Sequence, residues 1–139
     1  MARIQINFPE TIIFSTEIKI RITDLNYGGH LGNDTMLSLL HEARVRFLKH
    51  LDYSEMDIEG AGIIMADAAI QFKTEAFYGE RLKIEIAEGE FTRAAFDLFY
   101  RVSCSSRVVA LAKTGIVFYD YNRKKVVSVP EKFQRKLDI

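Results

Sequence analysis

The helix this chain must bury limits its fold more than any other feature. Met36, Leu39, Leu40, Ala43, Phe47 and Leu51 recur at steps of three and four and form one apolar face. Ser38, Glu42, Arg46 and Lys49 fall on the opposite side. Leu37, Val45 and Leu48 lie outside the main stripe, so more than one side of the helix is expected to be covered. A helix resting on a surface needs one apolar face, whereas a helix wrapped by a sheet needs more. Beyond Gly60 and Gly62 the chain reads as strand, so the wrapping has to come from β structure.

The strands are read from period-two alternation. Ile18, Ile20 and Ile22 alternate with Glu17, Lys19 and Arg21 ahead of the helix. Ile4 to Phe8 is a shorter run, expected as an edge strand that Pro9 limits. Ile63 to Lys73 is long and apolar, and its small residues suit close packing on the helix. Tyr78-Gly79-Glu80 makes a turn before Leu82, Ile84 and Ile86. Phe96, Leu98, Tyr100, Val102 and Cys104 alternate next, Ser105-Ser106 is a tight turn, and Val108 to Tyr121 is another long strand. Asn122-Arg123-Lys124 turns into a short return strand, and Pro130 begins a polar tail. One strand, one central helix and four successive strands with short connections give an α+β domain, 1–139, with a meandering antiparallel sheet of five to six strands.

Composition removes several functions. Nineteen Lys and Arg balance nineteen Asp and Glu, so no global field argues for nucleic acid or an anionic membrane. The lone Cys104 cannot form an internal disulfide, which fits a reducing compartment. No apolar run has the length of a signal peptide or a membrane span, so a cytoplasmic location is expected. The spacing of the three histidines offers no metal cluster, and no cofactor is expected.

Chemistry concentrates between the first strand and the helix. Asp24, Asn26, Gly28, Gly29, His30, Gly32, Asn33 and Asp34 fall within one short polar turn, with Asn33 or Asp34 as the expected helix N-cap. Glycines let backbone approach a ligand, and a helix start offers unpaired N–H groups to negative charge. Strand, glycine turn and helix start together read as a site.

These residues resemble a known signature. RITDLNYGGHLGNDTMLSLLHEAR is similar to the opening of hot-dog-fold thioesterases of the 4-hydroxybenzoyl-CoA and acyl-CoA type: Asp-x-Asp, a short spacer, Gly-His, an Asn pair, an apolar helix and Glu-Ala-Arg. Asp24, Gly29-His30, Asn33 and Glu42-Ala43-Arg44 match in order, and the resemblance runs from about Phe14 to Pro130. It implies a hot-dog fold, hydrolysis of an acyl-CoA or acyl-carrier-protein thioester, and homodimers paired sheet edge to sheet edge, with a tetramer as a further option. Three positions depart from it. Asn26 stands where the family carries its catalytic aspartate, Gly32 replaces the first Asn of the pair, and Asp34 replaces a small residue that follows.

Thioester hydrolysis needs donors for an oxyanion and a base for water. The Leu31, Gly32 and Asn33 amides are the candidate donors, with Asp24 or Asp34, assisted by His30, as the base. Each has a plainer role. Asp24 can close a turn, Asp34 can favour the helix dipole, and His30 can fix the loop. Asn26 can orient water or substrate but cannot take a proton. Glu42 is either a substrate-side residue or a surface partner of Arg46. Asp67, within an apolar strand, needs a partner, an interface or a cleft. Lys73, Arg93, Arg101, Arg107 and Arg123 are the cations available to coenzyme A phosphates. Because of Asn26, a protein that binds thioesters without hydrolysing them is the alternative; a dehydratase fits less well.

Overall fold

The computed structural model describes residues 2–138. β1 (Phe14–Lys19) leads through one 3-10 turn (Ile22–Asp24) and the glycine loop into α1 (Asn33–His50). β2 (Gly62–Phe72), β3 (Arg81–Phe91), β4 (Ala95–Cys104) and β5 (Arg107–Asp120) follow, then a short β6 (Lys125–Val126) and α2 (Glu131–Leu137). The strand order is β1-β3-β4-β5-β2, antiparallel throughout, with β6 added to β5. The meander is therefore β3-β4-β5 alone, because β2 lies at the far edge beside β5.

The core sits between α1 and the sheet. Met36, Leu39, Leu40, Ala43, Phe47 and Leu48 are buried against Leu82, Ile84 and Ile86 of β3 and the Phe96-to-Cys104 alternation of β4. Turn chemistry is as the sequence indicates: Gly79 takes a positive φ of 82° in the turn before β3, and Ser105 takes 55° between β4 and β5.

Four expectations change. Residues 4–8 form no strand, although Ile6 is buried and its N–H donates to Gln71 Oε1 at 3.2 Å. The N-cap is Gly32, which has no side chain to offer, and Asn33 opens the helix. The tail after Pro130 is not polar loop but α2, whose Phe133 is fully buried among Tyr53, Phe96 and Phe118. Leu48 is covered, but Leu37 and Val45 remain 42% and 41% exposed. β2 also has a bare edge: it pairs with β5 on one side only and leaves Ile64, Met65 and Phe72 exposed.

Asp67 finds its partners locally. A bulge between Met65 and Asp67 turns its carboxylate to the Gly115 N–H at 2.9 Å and Lys113 Nζ at 2.8 Å. A Cβ at position 115 would lie 2.6 Å from that oxygen, so a side chain there would push the Asp67 carboxylate aside.

Candidate active site at the start of the central helix

The glycine loop is held by its own polar groups. Asn26 Oδ1 accepts the N–H groups of Gly28 (2.9 Å) and His30 (3.2 Å), and the Asn26 N–H donates to the His30 carbonyl at 2.7 Å. Gly29, at φ 79°, closes the turn by donating to the Asn26 carbonyl. The Leu31 N–H donates to Ala76 at 2.8 Å, which ties the loop to the connection between β2 and β3. Asp24 is buried, and its carboxylate accepts the Arg21 N–H at 2.8 Å and meets the Arg21 guanidinium at 3.3 Å.

These bonds redistribute the donors. Leu31 is committed to Ala76, and the Gly32 N–H donates to the Asp24 carbonyl at 3.0 Å. Of the three expected amides only Asn33 stays available. It stands in the first turn of α1, where N–H groups lack intrahelical acceptors. With Gly32 as cap, no side chain fills that role. The Asp34 carboxylate folds back over the cap, and a Cβ at Gly32 would lie 2.6 Å from its Oδ1.

A cavity of about 270 Å³ opens at this helix start, lined by Asn26, His30, Leu31, Gly32, Asn33 and Met36, and by Phe72 through Ala76 with Val109. His30 packs edge-on against Phe77 and places Nδ1 3.4 Å from Glu75 Oε1. His30, Asn26, Leu31, Gly32 and Asn33 are thus gathered in one place. Asp24, Asp34 and Glu42 do not line the cavity; Glu42 pairs with Arg46 at 2.8 Å on the outer face of α1.

A profile of the thioesterase-like superfamily matches residues 20–137. The chain belongs to that superfamily. It is similar to the 1,4-dihydroxy-2-naphthoyl-CoA thioesterase of Synechocystis, at TM-score 0.81 and 22% identity over 90% of this chain and 95% of that one. It also resembles a gentisyl-coenzyme A thioesterase, at TM-score 0.80 and 17% identity over 89% and 99%. A DHNA-CoA thioesterase of Staphylococcus aureus gives 0.78 and 18% over 89% and 85%. No curated protein sequence matches the chain. At these identities the likeness establishes the hot-dog fold, and the thioesterase-like site has to be read from its own residues.

Glu75 was not legible as part of that site. It lies on the connection from Lys73 to Glu80, which is pinned by Arg107: its Nη2 reaches Glu80 Oε1 at 2.6 Å and the Glu75 carbonyl at 3.3 Å. Arg107 holds the Glu80 carboxyl below the usual carboxylate range. The candidate phosphate cations also separate. Arg101 is paired with Glu85, Arg107 with Glu80 and Arg123 with Asp120, and Arg93 donates to Ser128. Among the described residues Lys73 makes no ion pair, and it lines the cavity. No group of three or more His, Cys, Asp or Glu side chains could hold a metal among the described residues. Among the described residues no helix is long and apolar enough to cross a membrane.

Proposed function

We propose that the protein is an acyl-CoA thioesterase that hydrolyses its substrate to the free acid and coenzyme A, working as a homodimer. The observation that carries this reading is the meeting, in one cavity, of an uncapped helix start with the His30–Glu75 pair. The thioester carbonyl oxygen lies at the Asn33 N–H, where positive potential at the helix start favours developing negative charge. Water attacks the carbonyl carbon while His30 takes its proton, with Glu75 orienting the ring. The intermediate then expels the thiolate, which recovers the proton from His30, and the acid is released. Lys73 at the cavity wall meets a coenzyme A phosphate. Asn26 fixes the loop that presents His30.

The dimer follows from the bare edge of β2. A second copy running antiparallel to it would satisfy that ladder and cover Ile64, Met65, Leu37 and Val45. Light scattering should give about twice the 16.0 kDa chain mass; a monomer at micromolar concentration argues against it.

Asn26 supports a second reading, a protein that holds thioesters without cleaving them, because no carboxylate occupies that position. A thiol-release screen over a panel of acyl-CoAs separates the two. Release above the uncatalysed rate supports the enzyme. Saturable binding without release supports the binder.

A further inference from the structure

A second cavity, of about 220 Å³, opens on the β2 side of α1, with Leu37, Ser38, His41, Arg44, Met65 and Thr114 in its walls. None of these residues belongs to the site at the helix start. Arg44 is only 7% exposed, unusual for a cation, and a chain of hydrogen bonds surrounds it. Its Nε donates to Glu55 Oε2 at 2.7 Å and its Nη1 to Tyr100 Oη at 3.3 Å. Tyr100 Oη in turn lies 2.8 Å from Thr114 Oγ1, and His41 Nε2 lies 2.7 Å from Glu55 Oε1.

Donor rules fix most of these links. Arginine can only donate, so the Tyr100 hydroxyl accepts from it, while either hydroxyl can be the donor between Tyr100 and Thr114. Where Tyr100 donates, the Thr114 proton is left for another acceptor, and Thr114 lines the cavity. Ionised Glu55 can only accept, so His41 carries its proton on Nε2 and leaves Nδ1 bare. Arg44 Nη2 makes no hydrogen bond among the described residues. Among the described residues no fully buried side-chain nitrogen or oxygen is unpartnered, so Nη2 is not fully buried.

The cavity walls therefore carry donors: the Arg44 guanidinium, the Thr114 hydroxyl and the Ser38 hydroxyl. His41 Nδ1 is a bare acceptor. A ligand hydroxyl has one proton for His41 and two lone pairs, so it would leave at least one donor unmatched. A carboxylate has two oxygens to accept from them all. Arg44 is paired with Glu55, and none of the residues lining the cavity is acidic.

We propose that this second cavity binds a carboxylate, and that through it the protein selects acyl groups ending in one. The selection rests on the thioesterase and dimer reading above. Antiparallel pairing of β2 with its copy about a two-fold axis sets Met65, at the mouth, opposite the half of the copy's strand that ends at Phe72. Phe72 lines the first cavity, so the second cavity of one subunit faces the first cavity of the other.

The site is tested by titrating the whole protein with butyrate and with 1-butanol, its neutral counterpart of the same length, and following the Arg44 Nε–H and His41 ring signals by NMR. Butyrate should shift both saturably and 1-butanol should not. Thr114→Val should weaken butyrate about 10-fold, the usual scale for one hydrogen bond to a charged group. Should that variant unfold, Ser38→Glu on the open side of α1 places a carboxylate at the mouth and should abolish binding. An equal response to both ligands, or one that folded variants leave unchanged, overturns the site. For selection, glutaryl-CoA should exceed butyryl-CoA about 10-fold in kcat/KM, with the ratio falling in Thr114→Val. Hydrolysis without that preference overturns selection. No hydrolysis of any thioester sinks the thioesterase reading and selection with it, while the butyrate titration still decides the site.

Discussion

Replacing Asn33 by proline removes one hydrogen atom that the proposed reaction needs and little else. Asn33 is the first residue of α1, the helical position that proline tolerates best, because its N–H has no intrahelical partner and its φ is pre-set for a helix. The residue ahead must be extended, and Gly32 already is, at φ −69° and ψ 143°. The helix should therefore survive, with melting within a few degrees of the parent. The two preceding amides cannot stand in for the lost one, since Leu31 and Gly32 donate to Ala76 and Asp24. Losing one oxyanion donor costs about 3–4 kcal/mol of transition-state stabilisation, so kcat on the best acyl-CoA should fall ~10²–10³-fold. Asn33→Ala keeps the N–H and loses the side chain, and serves as the control that should retain near-parent turnover. Steady-state thiol release on all three proteins reads the result. If Asn33→Pro is folded and within about 10-fold of the Asn33→Ala rate, the carbonyl is not held there and the reasoning fails.

Other expectations follow from the same geometry. His30→Gln should lower kcat about 100-fold, whereas Asp24→Asn and Asp34→Asn should change it little, because neither carboxylate lines the cavity; near-parent turnover in His30→Gln would move the base elsewhere. Lys73→Glu should raise KM for an acyl-CoA about 10-fold yet spare an N-acetylcysteamine thioester, which lacks the phosphates; equal effects on both would remove Lys73 from phosphate binding. Phe47→Ala, fully buried and packed 5.7 Å from the Phe14 ring, should cost about 3–5 kcal/mol by denaturant melting, and a loss below 1 kcal/mol would contradict a central helix. Burial alone would raise the Glu55 carboxyl, but bonds from Arg44 and His41 outweigh it and hold it below the usual range. Its stabilisation is thus complete above the unfolded value, about 4.3, and is lost as pH falls below that through the folded value. Glu55→Gln should flatten that acid limb of stability, and an unchanged limb would show that the pair contributes nothing there.

The sequence revealed what depends on local period and hid what depends on distant pairing. The β4 alternation from Phe96 to Cys104 was readable because one face of a strand repeats every second residue, and all five are buried. The α1 stripe was readable for the same reason at helical period. α2 was not, since seven residues with only Phe133 and Leu137 inward carry too few repeats to register. Ile4 to Phe8 alternates like a strand, but alternation cannot supply a partner edge, and the segment stays irregular. In the site, His30 and Asn33 were named from the glycine turn alone. That Leu31 and Gly32 give up their N–H groups could not be seen, because the Leu31 acceptor, Ala76, lies far along the chain. Glu75 and the Arg44–Tyr100–Thr114 chain were hidden likewise.

Asn26 shows how the turn and the chemistry can part company. Its two accepted bonds, from Gly28 and His30, both end on the single oxygen Oδ1. An aspartate would accept the same two bonds through one oxygen and keep the other free to take a proton. An asparagine gives the same turn and offers an N–H₂ group in place of that second oxygen. The amide therefore preserves the loop while withdrawing a base from it. A proton acceptor, if the protein hydrolyses thioesters, then has to come from another residue in the cavity. The His30–Glu75 pair is the nearest one there, held by the backbone bond that Asn26 itself accepts from His30. On this view Asn26→Asp should leave stability nearly unchanged, since every bond to Oδ1 is kept, and should add a second base beside the first. A rise in turnover, with a pH profile that gains an acidic limb, is the expected outcome. A fall in turnover in a folded variant would mean that the amide's own N–H₂ contacts the substrate, and that Asn26 belongs to binding and not to the turn alone.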